Sequence, residues 1–261
     1  MTDLAEPLAR DLEDAHTEMR SLAGRKAIVT GGTTGIGRAI AVLLASEGAK
    51  VFVCGRDPQH LQDGLERIRE VGEGDGIDLD LAEPEAVDRF VDAARTYFGG
   101  DFDIAIVNAA IPAQGITQMS ADELRYAIAV DFTAYLTTAY AAAEVMKDHG
   151  DIVFIGSVAG HLLGAQSSVY AGMKAGVAGF AEALRKELGP KGIKVCNVEP
   201  AKTGADFQYE SFTAEEMAEE NRKETMLRAE DIAVGVHYVL TQPRRAVVQQ
   251  VVIAPRARGD E

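Results

Sequence analysis

Tyr170 and Lys174 stand four residues apart in the stretch IGSVAGHLLGAQSSVYAGMK, and Ser157 lies thirteen residues ahead of the tyrosine. On a helix that spacing puts the phenol and the ammonium on one face. A fixed positive charge favours the phenolate, so the phenol ionises more easily. Such a pair passes a proton to or from a hydroxyl or carbonyl near neutral pH, which an ordinary tyrosine does poorly. Ser157 is placed to hydrogen-bond the same substrate oxygen. An ordinary solvated helix also shows a Tyr and a Lys at this spacing, so the rest of the chain must carry the reading.

A second constellation is TGGTTGIG, residues 30–37. Gly31 allows a tight turn, Gly35 lets backbone approach a ligand, and Gly37 lets helix and strand pack closely. Thr34 and Ile36 complete the loop, which leaves a strand and opens a helix. The helix N-terminus offers unpaired N–H groups and a positive dipole end to a pyrophosphate. No Gly-Lys-Ser/Thr follows, so this is not a nucleoside-triphosphate loop of the Walker type. At the end of the second strand a carboxylate would bind the ribose 2′-hydroxyl of NAD. The chain has Gly55 and Arg56 there, and a guanidinium pairs with a 2′-phosphate. Thr33 adds a hydroxyl. Asp57, one residue on, works against this reading, and the balance favours NADP over NAD.

The elements that must hold these residues alternate strand and helix throughout. Strands are expected at 26–30, 50–54, 76–79, 103–108, 151–157, 194–200 and 247–255. Helices are expected at 39–48, about 58–71, 84–97, 120–147 and 168–188, with one more at 230–240. The strand runs are apolar on both faces, as in a parallel sheet covered by helices. The fold class is therefore α/β, a doubly wound, Rossmann-like parallel sheet of seven strands in a single domain. Residues 1–22 read as a polar helical extension with a weak apolar stripe at Leu4, Leu8, Leu12 and Ala15, and the main domain spans 23–261. The acidic segment 203–228 follows a strand's carboxyl end, where it is expected to cover the ligand crevice.

The net charge is −15, from 26 Lys and Arg against 41 Asp and Glu. That excess argues against nucleic-acid partners and anionic membranes. No apolar run is long enough to span a bilayer. The first residues lack the basic start and apolar centre of a secretion signal, so a cytoplasmic location is expected. The two cysteines, Cys54 and Cys196, each sit in an apolar strand run. They read as buried free thiols, and no metal site is expected.

On TGxxxGIG at 30–37, an Asn-Ala segment at 108–110, and Ser157 with Tyr170 and Lys174, the chain resembles the short-chain dehydrogenase/reductase family over residues 24–255. The resemblance implies a nicotinamide cofactor and a ketone or secondary-alcohol substrate. It makes Tyr170 the acid/base, Lys174 the residue that orients the nicotinamide ribose, and Ser157 the holder of the substrate oxygen. It places Asp80 and Leu81 at the adenine, Asn108, Ala109 and Ala110 along the ribose, and Pro200 to Thr203 at the nicotinamide carboxamide. It also implies a homodimer or homotetramer through the helix that begins near Tyr170, where Ala171, Gly172, Ala175, Gly176 and Gly179 are small. The run VVQQVVIAPR is similar to a subgroup of NADP-dependent dehydrogenases that includes clavulanic acid dehydrogenase. Two departures stand out. Asp131 occupies the position of a catalytic Asn, and an ionised carboxylate accepts hydrogen bonds but donates none. Ala201 stands where the family has Gly. These keep two alternatives open: a nucleotide-binding regulatory or structural subunit without turnover, and an epimerase or dehydratase. His161 is either a substrate contact or a plain polar loop residue. Leu162, Leu163, Phe207 and Tyr209 are expected to wall an apolar pocket.

Overall fold

The computed structural model describes residues 19–204 and 213–257. The first strand, β1 (Lys26–Thr30), leads through the glycine-rich turn into α1 (Gly35–Ser46). β2 (Lys50–Gly55), α2 (Pro58–Arg69), β3 (Glu73–Asp78), α3 (Ala86–Phe98) and β4 (Ile104–Val107) follow. Then come α4 (Ala121–Ile128), α5 (Ala134–Met146), β5 (Gly150–Ile155), α6 (Ser168–Leu188) and β6 (Ile193–Pro200). The chain closes with β7 (Thr203–Gly204), α7 (Ala214–Arg222), β8 (Leu227–Arg228), α8 (Ala229–Thr241) and β9 (Gln250–Ile253).

Seven strands form one parallel sheet in the order β3-β2-β1-β4-β5-β6-β9. β4, β5 and β6 are buried along their whole length. Side chains alternate across the pleat, so Ala27 and Val29 enter one layer and Ile28 the other. The first layer packs α1 and α8 on the sheet through Ile40, Leu44, Ile232 and Val236. The second packs α3, α5 and α6 through Phe90, Tyr135, Ala139 and Val177. Strand order reverses between β1 and β4. The crevice outside their carboxyl ends is where such a sheet receives a ligand.

Four elements differ from the sequence expectation. β3 begins at Glu73 rather than 76, because its glycines let it lie tight against α2 and β2. A Cβ at Gly74 would sit 2.4 Å from Ile68 Cγ2, and one at Gly76 2.6 Å from Val53 O. Close approach replaces the apolar run that would have announced a strand. The single helix expected at 120–147 is α4 and α5 joined by a π-turn over Ala129–Thr133. β9 is only four residues long. The segment at 203–228 contributes β7, α7 and β8, with β7 paired to β8. Leu4, Leu8, Leu12, Ala15, Phe207 and Tyr209 lie outside the described residues. Both cysteines are buried and free. Burial pushes each thiol up to about 12, so neither is a nucleophile near neutral pH. Among the described residues no helix is long and apolar enough to cross a membrane.

Candidate active site

Ser157 caps the short turn after β5. Its Oγ accepts from Ala159 N at 3.1 Å, and among the described residues its hydroxyl hydrogen has no protein acceptor. Tyr170 and Lys174 ride on the first two turns of α6. Lys174 is 2 % exposed, and its Nζ lies 5.7 Å from the centre of the Tyr170 ring. Gly160 lets the Ser157 turn press on α6, since a Cβ there would stand 3.1 Å from Ala175 N. Ser157 and Tyr170 line the same cleft.

Lys174 is held from below. Its Nζ donates to Tyr135 Oη at 3.1 Å and to Ile155 O at 3.0 Å, leaving one of an ammonium's three donors for the cleft. Tyr135 Oη in turn reaches Asn108 O at 2.9 Å and Ile155 O at 3.1 Å. Burial, then the charge of Asp131, keeps the Tyr135 phenol protonated. Tyr135 was not singled out from the sequence. Its position four residues after Asp131, on the same run of helix, was the available signal.

Asp131 lies on the π-turn, fully buried, and accepts from Ile111 N at 2.8 Å through Oδ1. Among the described residues its Oδ2 has no hydrogen-bond partner. Burial raises this carboxyl to about 6, against the pull of Lys174. Burial lowers the Lys174 ammonium to about 8, against the pull of Asp131. Asp131 is not among the residues that line the cleft, and its charge bears on the site through Lys174.

The glycine-rich turn is built as its spacing demands. Gly31 has φ +63°, and a Cβ on Gly37 would lie 2.1 Å from Gly31 O and 2.5 Å from Asn108 Nδ2. Asn108 Nδ2 donates to Thr30 O at 3.0 Å and Gly31 O at 3.1 Å. Its side chain thereby locks the turn. Thr34 caps α1 without a side-chain bond to the helix amides.

These residues converge on one cleft of about 1380 Å³. Its wall includes Gly31, Thr33, Thr34, Ile36 and Gly37 from the turn, with Arg56, Asp80 and Leu81 beyond them. Asn108, Ala109, Ala110, Ser157, Tyr170, Lys174 and Pro200 line the rest of the predicted part. The family model described as short chain dehydrogenase matches residues 25–216. The chain belongs to the short-chain dehydrogenase family.

Relatives agree in length as well as sequence. An uncharacterized oxidoreductase of Staphylococcus aureus is 33% identical over 243 residues, covering 91% of this chain and 100% of its own. A 3-oxoacyl-[acyl-carrier-protein] reductase of Vibrio cholerae is 34% identical over 69% of this chain and 74% of its own. A crystal structure of a short chain dehydrogenase from Burkholderia cenocepacia in complex with NADP superposes with TM-score 0.78. It is 31% identical and covers 90% of this chain and 98% of that one.

Within this short-chain dehydrogenase several sequence expectations need correction. Gly35 (φ +50°) starts α1 and is not part of the cleft wall. Thr203 is fully buried because β7 pairs with β8, and its Oγ1 donates to Ala201 O at 2.8 Å rather than facing a ligand. Thr33 remains in the cleft wall while packing against Gly55, where a Cβ would stand 2.4 Å from Thr33 Oγ1. His161 points away, with Nε2 3.0 Å from the buried Glu199 carboxylate, which also holds Asn197 and Gln250. Leu162 and Leu163 are exposed outside the cleft. Asp57, the residue that spoke for NAD, caps α2 instead. Its Oδ1 accepts from Gln59 N at 2.8 Å and His60 N at 2.9 Å, and these bonds hold its carboxyl below the usual range. Lys202, within the expected 200–203 run, and Glu220 and Thr225, within the expected cover at 203–228, also line the cleft, as does Tyr126, which carried no local signal in the sequence.

Proposed function

We propose that the protein moves a hydride between NADP(H) and the carbonyl or secondary-alcohol carbon of a small molecule. The observation that carries this is the meeting of Ser157, Tyr170 and Lys174 with the glycine turn and Arg56 in one cleft. The cleft fits the dinucleotide. Gly31 and Gly37 leave a cradle that a Cβ would fill, and the amides at the start of α1 have no side-chain cap to compete with a pyrophosphate. Arg56 meets the chemistry of a 2′-phosphate, and Asp57 is turned into its own helix. When bound, the nicotinamide supplies or accepts the hydride.

The protein's own groups handle the proton. Tyr170 gives its hydroxyl proton to the carbonyl oxygen in reduction and takes it back in oxidation, with the Lys174 charge stabilising its anion. Ser157 donates its spare hydrogen to the same oxygen. A single such donor is typically worth about 10²–10³ in kcat. The remaining donor of Lys174 holds the nicotinamide ribose. The Asp131 charge raises the Lys174 pKa and offsets part of the positive charge that Tyr170 feels. Lys202 and Glu220, 2.9 Å apart, bring α7 to the cleft, which supports reading this part of the chain as a substrate cover. A second copy of the chain docks on α6, where Gly172, Ala175 and Gly179 form an exposed stripe and Cβ atoms at Gly172 and Gly179 would meet nothing within 4 Å.

Two experiments test this. Purified protein is mixed with NADPH and a panel of ketones that includes 3-oxoacyl thioesters. NADPH oxidation with formation of the alcohol is expected. Tight NADPH binding without turnover would instead mark a binding subunit, and product formation without net cofactor use an epimerase or dehydratase. For the nucleotide, Arg56→Ala is expected to raise the KM for NADPH much more than that for NADH. Equal effects would defeat the 2′-phosphate assignment.

A further inference from the structure

We propose that Tyr126 sets the nucleotide preference of the cleft by holding Arg56 away from Asp80. This rests on the NADPH reading above and adds a residue to it. Gly55 and Asp78 are register partners at the ends of β2 and β3, so Arg56 and Asp80 leave neighbouring strands side by side. A guanidinium and a carboxylate so placed would ordinarily pair directly. Here Tyr126, reaching over from α4, stands between them. Its Oη accepts from Arg56 Nη1 at 2.6 Å and donates to Asp80 Oδ2 at 2.7 Å. Burial and the bond to Asp80 keep the phenol protonated, so the direction of that donation is fixed. The ring adds a second restraint, with Arg56 Cζ 5.8 Å from its centre. Asp80 Oδ1 is taken by Ala82 N at 2.9 Å.

The consequence is electrostatic. A guanidinium carries five N–H donors, and Tyr126 uses one. Among the described residues the other donors of Arg56 have no protein partner, and all three side chains line the cleft. A direct Arg56–Asp80 pair would cancel the positive charge and set a carboxylate against a 2′-phosphate. The phenol satisfies both groups without letting them meet. It thereby keeps the cation oriented for a second anion.

Calorimetric titration of the purified protein with NADPH and with NADH tests this in wild type, Y126F, D80N and the double variant Y126F/D80N. Y126F is expected to weaken NADPH about tenfold, the scale of one charge-assisted contact, and NADH by less than about twofold. Retained NADH binding shows that the fold survives. In the double variant Arg56 has no carboxylate to collapse onto, so the ratio of NADPH to NADH affinity, in which any adenine contact of Asp80 cancels, is expected to return to within about threefold of that of D80N alone. Y126F weakening both nucleotides equally, or failure of D80N to restore that ratio, would overturn the role of Tyr126 while leaving the NADPH reading intact. Wild-type protein that binds NADH as tightly as NADPH would overturn both.

Discussion

Asp131 puts a second buried charge beside Lys174, and its cost is pH-dependent. Its folded pKa, about 6, lies above the usual aspartate value of 3.8, so between those values the native state holds a proton that the unfolded chain has lost. Stability from this group is therefore full below pH 4 and declines as pH rises through 6. A shift of this size corresponds to about 3 kcal/mol at neutral pH. Asp131→Asn is expected to raise stability by that order at pH 7 and by almost nothing at pH 4, read by urea unfolding at both pH values. The same variant is expected to keep or improve turnover, since Asn can both accept from Ile111 N and donate. Lys174 has the opposite sign. Its folded value of about 8 lies below 10.5, so its contribution is full above pH 10.5 and is lost as pH falls through 8. Residue types and spacing gave Ser157, Tyr170, Lys174 and Arg56 directly, because each has a chemistry that its neighbours in sequence disclose. Tyr126 has no such neighbour, and Tyr135 has only Asp131 four residues before it. Their partners are 46 and 39 residues away in sequence, and only the folded sheet brings them together.

The element that governs nucleotide binding is the turn from β1 into α1, and its geometry leaves no room for a methyl group. Gly37→Ala would force a Cβ to within 2.1 Å of Gly31 O, so α1 must move or the turn must open. The expected result is a loss of about 1–3 kcal/mol in stability, the range for overpacking, with NADPH affinity falling in parallel. Thermal unfolding and a nucleotide titration on the same sample check it. Asn108→Ala should loosen the same turn by removing two bonds to Thr30 O and Gly31 O. The glycine pattern made this turn legible in the sequence. The π-turn at Ala129–Thr133 was not, because AVDFT continues the helical pattern on both sides and nothing local demands a bulge. β3 was misplaced for the converse reason. Its glycines serve close packing against α2, and close packing erases the apolar alternation by which a strand is recognised.

Across the whole molecule the two ends of the sheet do different work. The cleft lies at the carboxyl ends. At the opposite end the buried Asp151, in β5, gathers Arg25 at 2.8 Å, Lys194 at 3.4 Å, Arg244 at 3.5 Å and Arg20 at 3.6 Å. Arg25 also pairs with Asp103, tying the lead into β1 to the start of β4. Removing Asp151 leaves four cations without their shared partner. Asp151→Ala is expected to cost about 3–5 kcal/mol, seen as a lower Tm, with NADPH affinity unchanged at a temperature where the variant stays folded. Assembly belongs to this scale too. Gly179→Glu places a charge on the exposed stripe of α6 and is expected to convert an oligomer to monomer in light scattering; an unchanged mass would move the contact elsewhere. The alternation of strand and helix, with the motifs in order, made the doubly wound sheet readable from the chain. The segment that reaches the cleft's far end, 203–228, was expected there, but which of its side chains line the cleft was not readable, because tertiary packing selects them. The most direct measurement is kcat/KM for NADPH-dependent ketone reduction by wild type and Tyr170→Phe. Turnover in the wild type, falling by at least about 10² in the variant, is the expected result. Turnover that survives the loss of the Tyr170 hydroxyl would contradict the assignment of that phenol as the proton donor.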